Sequence, residues 1–253
     1  MFAGLAAVLA LFTTLWLVSM AVRNSSIVDM WWGPAIFLIG LTYYFTTTGV
    51  EDRRLLILSC VGLWAVRLAA YIGARNIGHG EDFRYAKWRA ERGASWWWFS
   101  CIKVFLLQGV IAWIVALPLY FAMSAGTPGH FTAFDQLGTL IFAIGFAFEA
   151  IGDEQLRQFR ANPGNKGRVL SSGLWRYTRH PNYFGEAVLW WGLAIIALGT
   201  PNGAYGLIGA ALITFLLIRV SGVALLEKTL TQTKPDYADY IARTSAFVPM
   251  PPR

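Results

Sequence analysis

Charge is scarce in this chain. Only 14% of its 253 residues are Asp, Glu, Lys or Arg, against 56% hydrophobic residues; a soluble domain carries about 25% charged residues. The shortage falls in long uncharged runs, which excludes an ordinary soluble globule and marks a membrane protein. Cysteine is rarer still. Cys60 and Cys101 are the two present, and both sit in apolar runs, so they read as small core residues and no disulfide or metal framework is indicated. The three histidines, His79, His130 and His180, are too scattered for a metal site. Soluble-type signatures are missing as well. There is no G-x-G-x-x-G after a strand, no G-x-x-x-x-G-K-[ST], no nucleophile elbow and no H-E-x-x-H. Any nucleotide must therefore be held by membrane helices and their loops.

What is present is apolar and aromatic, with 12 Trp and 17 Phe. Seven apolar segments are read: Phe2 to Val22, Ile27 to Thr48, Leu55 to Ala74, Trp96 to Met123, Leu137 to Phe159, Phe184 to Gly199 and Tyr205 to Leu226. Each approaches the roughly 20 residues of a membrane span, the sixth being short. No alternating strand pattern is present, so the spans are expected to be helices. The first segment lacks a basic leader and is expected to be retained. No repeat or composition shift divides the chain, so residues 1–253 are expected to form one transmembrane domain.

Most of the 21 Lys and Arg residues gather on alternate sides of these segments. Arg23 follows segment one. Arg75, Arg84, Lys87, Arg89 and Arg92 follow segment three. Arg157, Arg160, Lys166, Arg168, Arg176 and Arg179 follow segment five, and Lys228, Lys234, Arg243 and Arg253 follow segment seven. The opposite loops hold Arg53 and Arg54. This bias predicts seven transmembrane helices with the N-terminus outside and the C-terminus in the cytoplasm. The net charge of +7 then reads as membrane topology plus an anionic ligand, with no nucleic acid as a partner.

An ionisable group inside a span costs at least about 2.5–3.5 kcal/mol, so each needs a reason. Asp29 opens the second segment. Arg67, Tyr71 and Arg75 are four apart in the third, as are Glu149, Asp153 and Arg157 in the fifth, with Arg160 continuing that stripe. Arg219 and Glu227, eight apart, are expected on one face of the seventh. These groups are either ion pairs between helices or the walls of one Arg-rich cavity open to the cytosol. Guanidinium forks suit such a cavity to a phosphate-bearing ligand. In "RHPN" (Arg179 to Asn182), Pro181 is expected in the first turn of the sixth helix, with Asn182 as its N-cap. Glu186 then lies one turn in. Its carboxylate suits a helix N-terminus, or accepts a hydrogen bond from a ligand amide or ribose hydroxyl. The segment Glu81 to Gly93 reads as an amphipathic surface helix, alternatively a lid.

"SSGLWRYTRHPNYFGE" (Ser171 to Glu186), "GDEQLRQFR" (Gly152 to Arg160) and "EKTLTQTKPDYADYIARTSAFVPMPP" (Glu227 to Pro252) resemble the membrane steroid 5-alpha-reductase-like proteins, in particular their bacterial branch. The resemblance covers roughly residues 60–253. It places the chain in a superfamily with sterol reductases and isoprenylcysteine carboxyl methyltransferases.

The resemblance implies a seven-helix membrane bundle whose cytoplasm-facing cavity holds NADPH. It implies hydride transfer to a carbon–carbon double bond conjugated to a ketone. The matching positions for NADPH are Asp153, Arg157 and Arg160, then Asn182 and Glu186 at the nicotinamide, Arg219, and Arg67 with Tyr71. Arg168, Tyr177, Arg179, His180 and Glu227 complete the expected cofactor contacts. Where the steroid enzymes polarise the ketone with a Tyr, this chain has Trp64. Val223 and Glu227 stand in the region of their histidine cluster. The expected catalytic residues are Glu186 and a donor drawn from Asp29, Tyr71 and Tyr183. The substrate is expected to be a lipophilic enone, steroid-like or polyprenoid, entering from the bilayer lipids, and the location a bacterial inner membrane with the site facing the cytoplasm. Two other functions stay open: methyl transfer from S-adenosylmethionine to a lipophilic substrate, and non-catalytic lipid binding.

Overall fold

The computed structural model describes residues 1–220 and 222–253. Ser221, inside the expected seventh segment, and the side chains at 224, 225, 228 and 229 lie outside the described residues, Lys228 among them. The regular secondary structure of the described residues is all helical, with one isolated parallel bridge between Thr178 and Ser245. Among the described residues five helical runs are long and apolar enough to cross a membrane: Phe2–Val22, Glu51–Asn76, Phe83–Val115, Ala133–Ala161 and Gly203–Val220. That content fits a membrane protein. The chain divides into two compact units, Met1–Thr132 with Ala197–Ile208, and Ala133–Ile196 with Gly209–Arg253.

The first unit contains α1 (Phe2–Val22), the short α2 (Ile27–Met30), α3 (Trp32–Thr46) and α4 (Glu51–Asn76). The expected second segment is thus two helices, broken at Trp31 (φ −89°, ψ 0°). Pro34 explains the break. Its ring would strike the Met30 carbonyl in a continuous helix, and it is tolerated only in a first turn. The core of this unit is made of large side chains: Phe12, Ile36, Tyr43, Ile57 and Trp64 are all buried. Arg53, wholly buried in the first turn of α4, donates to the carbonyls of Pro128 (3.3 Å) and His130 (3.0 Å) and so fixes the loop 125–131.

The expected surface helix is α5 (Phe83–Arg92), capped by Asp82, which accepts from the Arg84 amide at 2.9 Å. Gly93 (φ 51°) makes an elbow, a conformation that favours glycine. Helix resumes as α6 (Trp96–Phe99), a π turn (Ser100–Leu106) and α7 (Leu107–Val115). The expected fourth segment stops at Ala116 because Pro118 cannot continue the helix; α8 (Leu117–Ser124) begins there.

The second unit is packed differently. α9 (Ala133–Ala161) and α10 (Pro181–Leu198) meet backbone to backbone through glycines seven residues apart. These are Gly138, Gly145 and Gly152 on α9, and Gly185 and Gly192 on α10. A Cβ at Gly145 would fall 2.4 Å from Leu189 N, one at Gly185 2.4 Å from Glu149 N, and one at Gly192 2.5 Å from Phe142 N. Small residues let membrane helices approach this closely. α11 (Gly206–Phe215) leads through a π turn (Leu216–Val220) to Gly222, where a Cβ would meet the Leu217 carbonyl oxygen at 2.1 Å. A new helix, α12 (Val223–Thr233), and then α13 (Tyr237–Arg243) complete the unit.

Candidate functional site

The glycine contact decides where the polar side chains of the second unit sit. With no side chains between the two backbones, the residues flanking the glycines are brought together. Glu149 and Asp153 on α9 are 2% and 4% exposed, Glu186 on α10 is 9% exposed, and Asn182 is half-buried. The Asn182 amide donates from Nδ2 to Asp153 Oδ1 at 3.0 Å. The amide nitrogen thus faces the carboxyl group and the amide oxygen faces away from it. The Asn182 Oδ1 atom is left buried and without a hydrogen-bond donor. Unsatisfied buried acceptors are uncommon in folded proteins.

Pro181 takes the first position of α10, as expected from its fixed φ and missing N–H. That places Asn182 inside the helix and not at its cap. The capping position passes to His180, whose carbonyl accepts from Phe184 N at 3.0 Å.

A strap over residues 173–180 leads into α10 and is tied on both sides. Trp175 Nε1 donates to the Gly152 carbonyl (3.0 Å), and Leu174 N to Gln155 Oε1 (3.0 Å). On the other side, Arg179 N donates to the Ser245 carbonyl (2.9 Å), Thr178 Oγ1 to Phe247 O (2.8 Å) and Met250 N to Tyr177 O (2.9 Å). The Tyr240 hydroxyl donates to Trp175 O. Arg179 itself grips Glu227 with two bonds, Nε–Oε1 2.7 Å and Nη2–Oε2 3.1 Å, while Nη1 reaches the Ile241 and Thr244 carbonyls. His180 Nε2 lies 3.2 Å from the same carboxylate, and its ring stacks on Tyr183 at 5.5 Å. Burial pushes the Glu227 carboxyl up, but the bonds from His180 and Arg179 outweigh it and hold it at about 2. Arg179, His180 and Glu227, all expected as cofactor contacts, are therefore brought together, and they engage one another.

The remaining expected site residues make other contacts within their own units. Arg157 does not join Asp153; it is exposed and forks onto Glu154, three residues back, at 2.7 Å. Arg160, Arg168, Tyr177 and Arg219 are exposed on the second unit, where the Arg168 carbonyl accepts from Lys234 Nζ. Arg219 and Glu227 do not share one helical face, because the helix is interrupted at Gly222 between them. Arg67 and Tyr71 belong to α4 of the first unit, with the guanidinium 5.6 Å from the ring centre. Trp64 is buried there too.

Asp29, also in the first unit, accepts from Arg84 Nη2 (2.9 Å) and the Tyr85 hydroxyl (2.7 Å). It belongs to a network in which Glu81 takes Arg89 (2.8 Å) and the Ser25 amide (2.7 Å), and Asp82 N donates to Ser26 Oγ (2.6 Å). Burial raises the Glu81 and Asp82 carboxyls, but the bonds from Arg89 and Ser25, and from Arg84, bring them below the usual range. A cleft of about 150 Å³ between residues 24–30 and 76–80 adjoins this network. Reading by residue chemistry passed over Trp175, Gln155 and the glycines, which hold the strap, α9 and α10 together. The seven-residue spacing of Gly138, Gly145, Gly152 and of Gly185, Gly192 was the signal for them.

Comparison with known proteins adds the following. The family described as "Protein of unknown function (DUF1295)" matches residues 15–244. An uncharacterized protein of Schizosaccharomyces pombe is 26% identical over 261 residues, covering 93% of this chain and 75% of its own length. A probable O-methyltransferase of Ustilaginoidea virens is 37% identical over 66 residues, which is 26% of this chain and 23% of that protein. No solved structure matches.

Proposed function

The chain belongs to the DUF1295 family of proteins of unknown function, and from that premise we propose that it is a membrane-embedded, NADPH-dependent reductase of a lipophilic enone. In this reading it is a steroid 5-alpha-reductase-like bundle of seven spans, α3 and α10 supplying the two shorter ones. Its N-terminus lies outside and its basic loops and site face the cytoplasm.

One observation carries the reading: the buried Asn182 Oδ1 that lacks a donor, held in place by Asp153 and one helical turn from Glu186. A primary carboxamide such as that of nicotinamide brings the N–H this oxygen needs, and Glu186 offers a second acceptor. The exposed Arg160 and Arg168 suit the phosphates. When bound, NADPH supplies the hydride. The protein's own residues hold the carboxamide, keep water from the apolar interior and place a hydroxyl against the oxygen on which enolate charge develops. Tyr183, stacked on His180 in the same unit, is assigned that donor role. Asp29 is left out, because Arg84 and Tyr85 already occupy its oxygens.

The test is thermal stabilisation of the purified protein in mild detergent by NADPH, NADH and S-adenosylmethionine. A ligand at about 100 times its Kd adds roughly 2.7 kcal/mol. NADPH is expected to stabilise the native sequence and to fail with Asn182→Ala. Stabilisation that survives Asn182→Ala would sink the assignment.

A second reading rests on the 66-residue likeness to the probable O-methyltransferase. The buried carboxylates Glu149, Asp153 and Glu186 suit a sulfonium cation, and the outcome in its favour is stabilisation by S-adenosylmethionine alone. If none of the three ligands shifts the melt, non-catalytic lipid binding replaces both.

A further inference from the structure

α5 has two faces with different chemistry. Its inward residues are occupied: Arg84 and Tyr85 bind Asp29, and Arg89 binds Glu81 while lying 5.0 Å over the Trp96 ring. Its outward residues include the aromatic Trp88 and the basic Lys87 and Arg92, with Glu91 lying 3.9 Å from Lys87. Trp88 is 42% exposed, and past the Gly93 elbow Trp97 and Trp98 are 55% and 44% exposed. The Arg92 guanidinium lies 4.2 Å over the Phe99 ring. Phe99 in turn takes the edges of Trp88 at 6.4 Å and Trp98 at 6.3 Å. Arg92 is exposed and has no carboxylate partner among the described residues, whereas Arg84 and Arg89 have theirs.

A cation stacked on a ring cluster is held in place while its N–H groups remain available. Exposed Trp is the residue of the headgroup level of a bilayer, and this cluster is continuous with the run Phe83–Val115, which is apolar enough to cross one. We propose that Arg92, framed by Trp88, Phe99 and Trp98, seats the phosphodiester of an anionic phospholipid, making the elbow at Gly93 a lipid-selective anchor. The guanidinium fork meets phosphate oxygens in pairs. A zwitterionic lipid brings its own cation to the same basic rim and gains less. The proposal stands on the first unit alone and is independent of the reductase reading.

The experiment is native mass spectrometry of the full chain in detergent, titrated with phosphatidylglycerol and with phosphatidylcholine of the same acyl chains. Phosphatidylglycerol is expected to bind roughly fivefold tighter, the weight of one basic side chain at an anionic surface. Arg92→Gln should remove that preference, and Arg157→Gln, an exposed arginine of the other unit, should keep it. Trp88→Leu, which leaves the charge intact, should weaken binding of both lipids and serves as the second variant if Arg92→Gln does not fold. Excess inorganic phosphate should leave the lipid bound. Equal affinity for the two lipids, equal loss in Arg92→Gln and Arg157→Gln, or displacement of lipid by inorganic phosphate would each overturn the proposal.

Discussion

The two compact units solve the same problem in opposite ways. The first fills the space between its helices with large side chains such as Phe12, Tyr43 and Trp64 and ties several of its charges into one network beside α5. There the carboxylates of Asp29, Glu81 and Asp82 each receive donors from Arg84, Tyr85, Arg89 or Ser25. The second removes side chains from its central contact and brings α9 and α10 together through glycine. Polar groups are then drawn into the interior, and Asn182 Oδ1 is left without a donor. Side-chain packing gives a satisfied network beside α5. Backbone packing gives a constrained polar site in the middle.

The largest expected effect tests that contrast directly. Gly185→Ala puts a Cβ 2.4 Å from Glu149 N and 2.6 Å from Gly145 O, both backbone atoms that cannot step aside. A loss of about 3 kcal/mol or more is expected, read as the thermal midpoint and the yield of monodisperse protein. Gly62→Ala in α4 meets only the Phe37 ring, at 3.1 Å, and should cost less than about 1 kcal/mol. Equal losses would erase the distinction between the units.

Next comes the Arg179 grip. Arg179→Gln leaves Glu227 and the Thr244 carbonyl without their main donor, and about 2–3 kcal/mol should be lost in denaturant unfolding. Arg89→Gln, which removes the more exposed of the two arginines, should lose about 1–2 kcal/mol.

A smaller effect is pH-dependent. Glu227 is held at about 2 in the folded protein, against 4.5 ordinarily. Its contribution is present above pH 4.5 and is lost as pH falls through that window toward 2. The melting temperature of the native sequence should therefore fall more between pH 5 and pH 3 than that of Glu227→Gln. Parallel curves would show that the carboxylate is not held by Arg179 and His180. The smallest effect belongs to Lys87→Gln. Its 3.9 Å contact with Glu91 is exposed on both sides, so the thermal midpoint should move by the equivalent of less than about 0.5 kcal/mol.

Hydropathy made the helical, membrane-type content legible, and Lys and Arg placement offered a topology. The breaks at Trp31 and Ala116 were legible in principle from Pro34 and Pro118, but apolar runs conceal them, since composition averages over a single kinked residue. The helical spacing of Arg219 and Glu227 misled because it assumes an unbroken helix, and Gly222 interrupts it. For the candidate site, single residues such as Asp153, Asn182 and Glu186 were legible as unusual charges and amides near a membrane. Their mutual arrangement was not. The Asn182–Asp153 bond joins residues 29 apart and the Arg179–Glu227 bond residues 48 apart, and such pairings arise from tertiary packing, which leaves no period in the sequence. Arg157 shows the converse: its spacing pointed to Asp153, while a flexible side chain found the nearer Glu154.

The Arg179–Glu227 pair also sets an order of events during synthesis. With 48 residues between the partners and elongation at about 5–20 residues per second, Arg179 waits roughly 2–10 s for its carboxylate. During that interval α10 and α11 emerge behind a guanidinium that the finished protein buries. Folding of this region must therefore tolerate an unpartnered cation beside an apolar helix, and the second unit can lock only after α12 has left the ribosome.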